Sequence, residues 1–267
     1  MNYLIRFAKL IIDSRLFISA AAAGLVLSTF KIMHVDINWI LVSIVFLSTF
    51  TAYTFPVFLK QTKFSPKWLT FFLLYSTTGV FCAIQIWLIG SILLNMLFLV
   101  LLFCTLFYYL PLGLIGRLRE LPFLKVFLIS FTWSIATVLV PLVFVNYPMF
   151  SLDILWLVLE RFIFLLAITI PFDVRDIRTD TAGGLITLPS KFGLKRSLYM
   201  SFVLLMAYLG ISAAHFGFGN ILFVRAICVF FILILIQKIS LKKTSYYYTG
   251  LIDGSIIFQS ILIQIIV

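Results

Sequence analysis

Three of the nine acidic residues in this chain, Asp173, Asp176 and Asp180, fall within eight consecutive positions. Their spacing is i, i+3, i+7. At ~100° per helical residue they share an arc of about 60° on one face. Carboxylates gathered on one face repel one another, so the cluster makes chemical sense if a cation joins them. Oxygen-only donors favour a hard cation such as Mg²⁺, which commonly bridges carboxylates to substrate phosphates. Flanking Arg and Lys side chains are of the type that meets the remaining phosphate charge. A blander reading of the same residues is a helix-end cap or a solvated loop, with the interspersed arginines neutralising the aspartates. Cysteine and histidine point to no second chemistry. Cys82, Cys104 and Cys228 lie inside apolar runs, without metal spacing or a disulfide framework. His34 and His215 stand near helix ends, and no histidine metal site is expected.

The elements that must carry these aspartates are set by composition. Of the 267 residues 63% are hydrophobic and 11% charged, against roughly 45–50% and about 25% in soluble domains. No soluble interior could hide this much Leu, Ile, Phe and Val, so the bilayer has to act as solvent. Apolar stretches near the ~20 residues needed to span it recur along the chain. No segment between them is long enough for a separate soluble domain, and residues 1–267 read as one domain. The net charge of +11 is a topology signal here, and no nucleic acid is expected as a partner. The apolar run after Arg15 continues past Ala20–Ala23, which favours a retained first helix over a cleaved signal.

The pattern predicts an all-α bundle of about nine spans, near 16–34, 39–59, 68–89, 91–112, 123–146, 151–172, 198–217, 220–237 and 250–267. With the N-terminus inside, seventeen of the 20 Lys and Arg fall on the cytoplasmic side. Lys31 alone lies in an outside loop, and Arg161 and Arg225 fall within spans. This partition places the N-terminus in the cytoplasm and the C-terminus outside. Glu160 and Arg161 sit toward the outer end of the sixth span, where simple solvation is expected. The one long polar connection runs from about Asp173 to Ser197, between the sixth and seventh spans. It should roof an apolar cavity open near the cytoplasmic surface.

The aspartate run is followed by Gly183-Gly184, Thr187-Leu188-Pro189 and Gly193. Together these residues resemble the second aspartate-rich motif of the UbiA superfamily of intramembrane prenyltransferases. In that family the motif follows the sixth of nine helices. Tyr108-Tyr109-Leu110-Pro111, with Arg117 and Arg119 beyond, stands where the family carries a tyrosine and basic residues. The resemblance implies transfer of an isoprenyl group from a prenyl diphosphate to a lipophilic acceptor, in the plasma (inner) membrane. It implies Mg²⁺ on Asp173, Asp176 and Asp180, and diphosphate contacts from Arg117, Lys191, Lys60, Lys63 and Tyr109. One departure stands out. The family's first aspartate-rich motif belongs at the end of the second span, and Ser48–Lys60 holds no acidic residue; none occurs from Ile37 to Arg119. Lys60, Lys63 and Lys67 would then meet the diphosphate directly, in a metal-poorer site, and Asp253 could face the same pocket. The departure also leaves open a noncatalytic relative that binds a lipid or a partner.

Overall fold

The computed structural model describes residues 15–60, 90–148, 151–240 and 244–267, with single positions between 73 and 88, and without the side chains of 57–60 and 115. The regular elements among the described residues are all helical. We number the helices α1 (Leu16–Ile32), α2 (Trp39–Lys60), α3 (Ile92–Tyr109), α4 (Leu124–Phe144), α5 (Leu152–Ala182), α6 (Leu188–Phe192), α7 (Leu194–Phe216), α8 (Asn220–Gln237) and α9 (Ser245–Ile266). Seven of them are long and apolar enough to cross a bilayer, and α1 is a shorter apolar helix. Eight of the nine expected spans therefore coincide with helices. The third, 68–89, lies outside the described residues apart from isolated positions.

The local sequence sets several helix starts. Ser91 and Ser151 each accept the backbone N–H three residues on, from Leu94 and Ile154, and Asn38 does the same for Leu41. Each satisfies a donor that a helix start leaves without an intrahelical partner. Gly193, at φ 80°, ends the short α6 and turns the chain into α7, a conformation glycine adopts at no cost.

α1 is the centre of the bundle. Ala21 and Leu25 pack with Phe164, Ile168, Leu205 and Ile252. Ala22, Val26 and Phe30 pack with Leu41, Val45, Leu94 and Val140. Ile32 joins Leu142, Leu157, Val224 and Ile263. Large apolar side chains such as Leu155, Phe202, Phe230 and Ile261 face outward, as lipid-facing positions should. The crossing of α1 and α9 depends on a small residue, because a Cβ on Gly24 would lie 2.9 Å from Ser260 Oγ. Helices packed in a membrane gain from such close approach. Gly24→Val should therefore cost about 1–3 kcal/mol, read as a lower unfolding midpoint in detergent, and Ser260→Gly in the same chain should restore part of the loss.

Two prolines shape the interior. Proline has no N–H, so the carbonyl four residues earlier loses its usual helical donor. Pro171 does this to Ala167, whose carbonyl accepts Ser201 Oγ from α7. Pro141 does it to Thr137, whose carbonyl accepts Thr29 Oγ1 from α1 at 2.7 Å. Each lost helical bond becomes a bond between helices.

Two expectations are corrected. The polar connection from Asp173 to Ser197 is mostly helix. α5 runs ten residues past Phe172 to Ala182, and only Gly183–Thr187 and Gly193 separate α5, α6 and α7. At ~1.5 Å per residue a 31-residue helix is about 46 Å long, well beyond the ~30 Å hydrocarbon layer. The polar composition marks the emergence of the helix, not its end. Glu160 and Arg161 are also not solvated, at 1% and 6% exposure. Glu160 Oε2 pairs with Arg225 Nη1 of α8 at 2.7 Å. Arg225 also donates to Ser212 Oγ at 2.7 Å. Arg161 donates to the Leu25 carbonyl and to Thr29 Oγ1. The cost of burying charge in hydrocarbon is met by pairing across helices.

Candidate active site

The C-terminal end of α5 presents Asp173, Asp176 and Asp180 along one face, as their spacing requires, and α4 brings a fourth residue to them. Lys125 stands in the first turn of α4. Its Nζ lies 2.7 Å from Asp180 Oδ2, 2.9 Å from Asp173 Oδ1 and 3.8 Å from Asp176 Oδ2. Lys125, Asp173 and Asp180 are all buried. The start of α4 is fixed against the turn that follows α5. Phe123 donates its backbone N–H to the Ile186 carbonyl at 3.1 Å, and its ring stacks on Phe192. The lysine is thus positioned by the same turn that positions the aspartates.

Arg175 folds back onto the cluster. Its Nε and Nη2 donate to the two carboxylate oxygens of Asp176 at 2.7 and 2.9 Å, and its guanidinium lies 5.0 Å from the Phe172 ring centre. A bidentate arginine–carboxylate pair of this kind is both strong and directional. On an ideal helix Arg175 points away from the aspartate face; the flexible side chain reverses that. Arg178 is exposed.

Beside the cluster lies a cavity of about 400 Å³, walled by Asp173, Asp176, Arg175 and Lys125, by Arg15 and Arg119, by Tyr53, Tyr108 and Tyr109, and by Asp253. A second cavity, of about 170 Å³, lies among α2, α3 and α4 and is lined by Ala52, Leu101, Leu128 and Trp133 with Ser48, Thr49 and Thr132. Tyr53, Tyr108, Tyr109 and Ile129 belong to the walls of both. The shared rings pack on one another and on Trp133, with centroid distances of 4.8 Å for Tyr108–Tyr109 and 6.2 Å for Tyr53–Trp133. A charged chamber therefore adjoins an apolar one through a collar of tyrosines.

The site residues expected from sequence are placed unevenly. Tyr109, Asp173 and Asp176 line the charged chamber. Asp180 sits behind them, buried against Lys125. Arg117 is exposed and outside the chamber. Its Nε pairs with Glu120 at 3.0 Å and its backbone N–H donates to the same carboxylate. Arg119, two residues on, enters instead and lies over the Tyr108 ring. Lys191 is outside as well, above the Phe123 and Phe192 rings. Lys63 and Lys67 lie outside the described residues, as does the side chain of Lys60. Asp253 lines the chamber from within α9, not as a helix cap. Lys125, Arg15 and Arg119 are residues that sequence reasoning did not assign to the site. For Lys125 a signal existed: a lone lysine in Phe-Leu-Lys-Val-Phe must find a carboxylate if it is buried.

The donor set does not fit a divalent cation as it is arranged. An ammonium already holds the point where the carboxylates converge, and a guanidinium holds both oxygens of Asp176. Among the described residues no group of three His, Cys, Asp or Glu side chains is disposed to hold a metal.

No protein-family model matches the chain, and no curated protein sequence matches it. Among solved structures it is similar to a digeranylgeranylglyceryl phosphate synthase of membranes, with a TM-score of 0.58 and 16% identity over 98% of both chains. At that identity the likeness speaks for the arrangement of helices: the chain shares the fold of that membrane protein over nearly its full length.

Proposed function

We propose that this protein is a membrane-embedded prenyltransferase that moves an isoprenyl group from a prenyl diphosphate to a lipophilic acceptor. The observation that carries the reading is the pair of adjoining chambers. One offers guanidinium groups to a diphosphate, the other an apolar wall to its tail, and aromatic rings stand between them. In the reaction the bond between the first prenyl carbon and the diphosphate oxygen breaks, and the diphosphate leaves with the electron pair. The acceptor's nucleophilic atom forms the new bond to that carbon and loses its proton. Arg15 and Arg119 meet the charge that develops on the leaving group. The faces of Tyr53, Tyr108 and Tyr109 favour the allylic cation. Asp253, the carboxylate that α9 contributes to the chamber wall, receives the proton. The charged chamber faces the cytoplasm of the inner membrane, in line with the distribution of Lys and Arg.

The test is incubation of the purified protein with radiolabelled prenyl diphosphates and a membrane lipid extract. Label should move from the aqueous diphosphate into an organic-soluble product. Asp253→Asn should lower that rate by roughly 10²-fold or more while leaving diphosphate binding in place. The absence of any carboxylate from Ile37 to Arg119 favours one alternative, a noncatalytic lipid-binding relative. Binding without transfer across varied acceptors would establish that alternative and reject the enzyme.

A further inference from the structure

We propose that the ammonium of Lys125 permanently holds the place of a metal ion among Asp173, Asp176 and Asp180, so that this chain handles a diphosphate without a divalent cation. Four observations carry this. The ammonium makes two ion pairs of 2.9 Å or shorter and a third of 3.8 Å, with its side chain only 10% exposed. Arg175 occupies both oxygens of Asp176. Three carboxylate charges thus face two fixed cations, and a divalent ion would have to expel one of them. Second, the buried start of α4 holds the lysine in place through the Phe123–Ile186 backbone bond, so withdrawing it means moving the helix end.

Third, the side of the chamber formed by α2, α3 and the turns after it supplies no carboxylate for a metal. α2, α3 and the turns up to Arg119 contain no acidic residue, and that side presents Tyr53, Tyr109 and Arg119. Fourth, two cations in the chamber are free to serve an anion. Neither Arg15 nor Arg119 pairs with a carboxylate of the described residues, and Arg15 Nε is buried without a hydrogen-bond partner there. The cationic charge that a metal would bring is supplied by fixed side chains: Lys125 neutralises the aspartates, and the two arginines receive the phosphate oxygens. The role toward diphosphate rests on the prenyltransferase reading; the occupation of the aspartate cluster does not.

Mn²⁺ alone, followed by its electron paramagnetic resonance signal in detergent, tests the occupation. Wild-type protein should leave the free-ion signal unchanged. Lys125→Ala should acquire one bound Mn²⁺, because three carboxylates then face a single guanidinium. Stoichiometric Mn²⁺ on the wild type would overturn the proposal. So would a folded Lys125→Ala protein that takes up none, and Lys125→Gln serves the same test if the alanine variant does not fold. A second arm measures thermal stabilisation by a non-cleavable prenyl thiolodiphosphate. The wild-type affinity should change less than about twofold between EDTA and Mg²⁺, and a gain of about tenfold or more with Mg²⁺ would overturn metal independence. If this ligand stabilises the wild type in neither condition, the prenyltransferase reading fails, while the Mn²⁺ arm still decides what Lys125 does.

Discussion

Replacing Arg119 with alanine should weaken binding of a prenyl diphosphate by roughly 10–100-fold, the loss of a charge-assisted contact of about 1.5–3 kcal/mol. Arg117→Ala should change it by less than about twofold, since removing an exposed ion pair costs little. The contrast comes from one short turn. Glu120 accepts the backbone N–H of Arg117 and pairs with its guanidinium, which keeps that side chain outside. Arg119, on the same 3₁₀ turn, lies over Tyr108 at the chamber wall. Titration of thermal stabilisation with the thiolodiphosphate measures both variants under one condition. Equal losses for the two arginines would mean that the site is not the chamber beside Asp173.

Arg225→Met should be the most destabilising single substitution away from the chambers. Glu160 would remain 1% exposed in the membrane interior, with only the His215 ring, 3.8 Å away, left beside it among the contacts that span these helices. Removing one partner of a buried ion pair costs about 3–5 kcal/mol, because the other charge is left uncompensated. The Arg225 guanidinium also lies over the Tyr208 and Phe216 rings, and those contacts go with it. Adding Glu160→Gln should recover a large share of the loss. Thermal unfolding of the single and double variants in detergent decides the matter. A single variant as stable as the wild type would show that the pair contributes nothing.

Much of this architecture is written in local sequence. Apolar runs of membrane length give eight of the described helices their place, because no other environment accepts them. The common face of Asp173, Asp176 and Asp180 follows from spacing alone. What sequence does not show is which residues meet across helices. Lys125 is 48 positions from Asp173 and is brought there by the packing of α4 on α5. Arg225 is 65 positions from its partner Glu160. Arg117 and Arg119 differ only in the local hydrogen bonds of a 3₁₀ turn. The extension of α5 was hidden for another reason: charged and small residues read as a loop, whereas outside the hydrocarbon layer a helix can carry them without penalty.

α9 carries a final consequence. Residues Tyr248–Asp253 form a π turn between α-helical stretches, so one extra residue is accommodated there. The two halves of the helix therefore run in different phases. The lower phase suits the bundle, setting Ser260 against Gly24 and Gln259 against the Tyr208 hydroxyl. The turn itself faces the chamber, where Thr249 and Asp253 form part of the wall. Deleting one residue from the π turn would restore a uniform α-helix and rotate the upper half by about 100° against the lower. Packing and chemistry would then compete for a single register. The irregular turn lets one helix satisfy both.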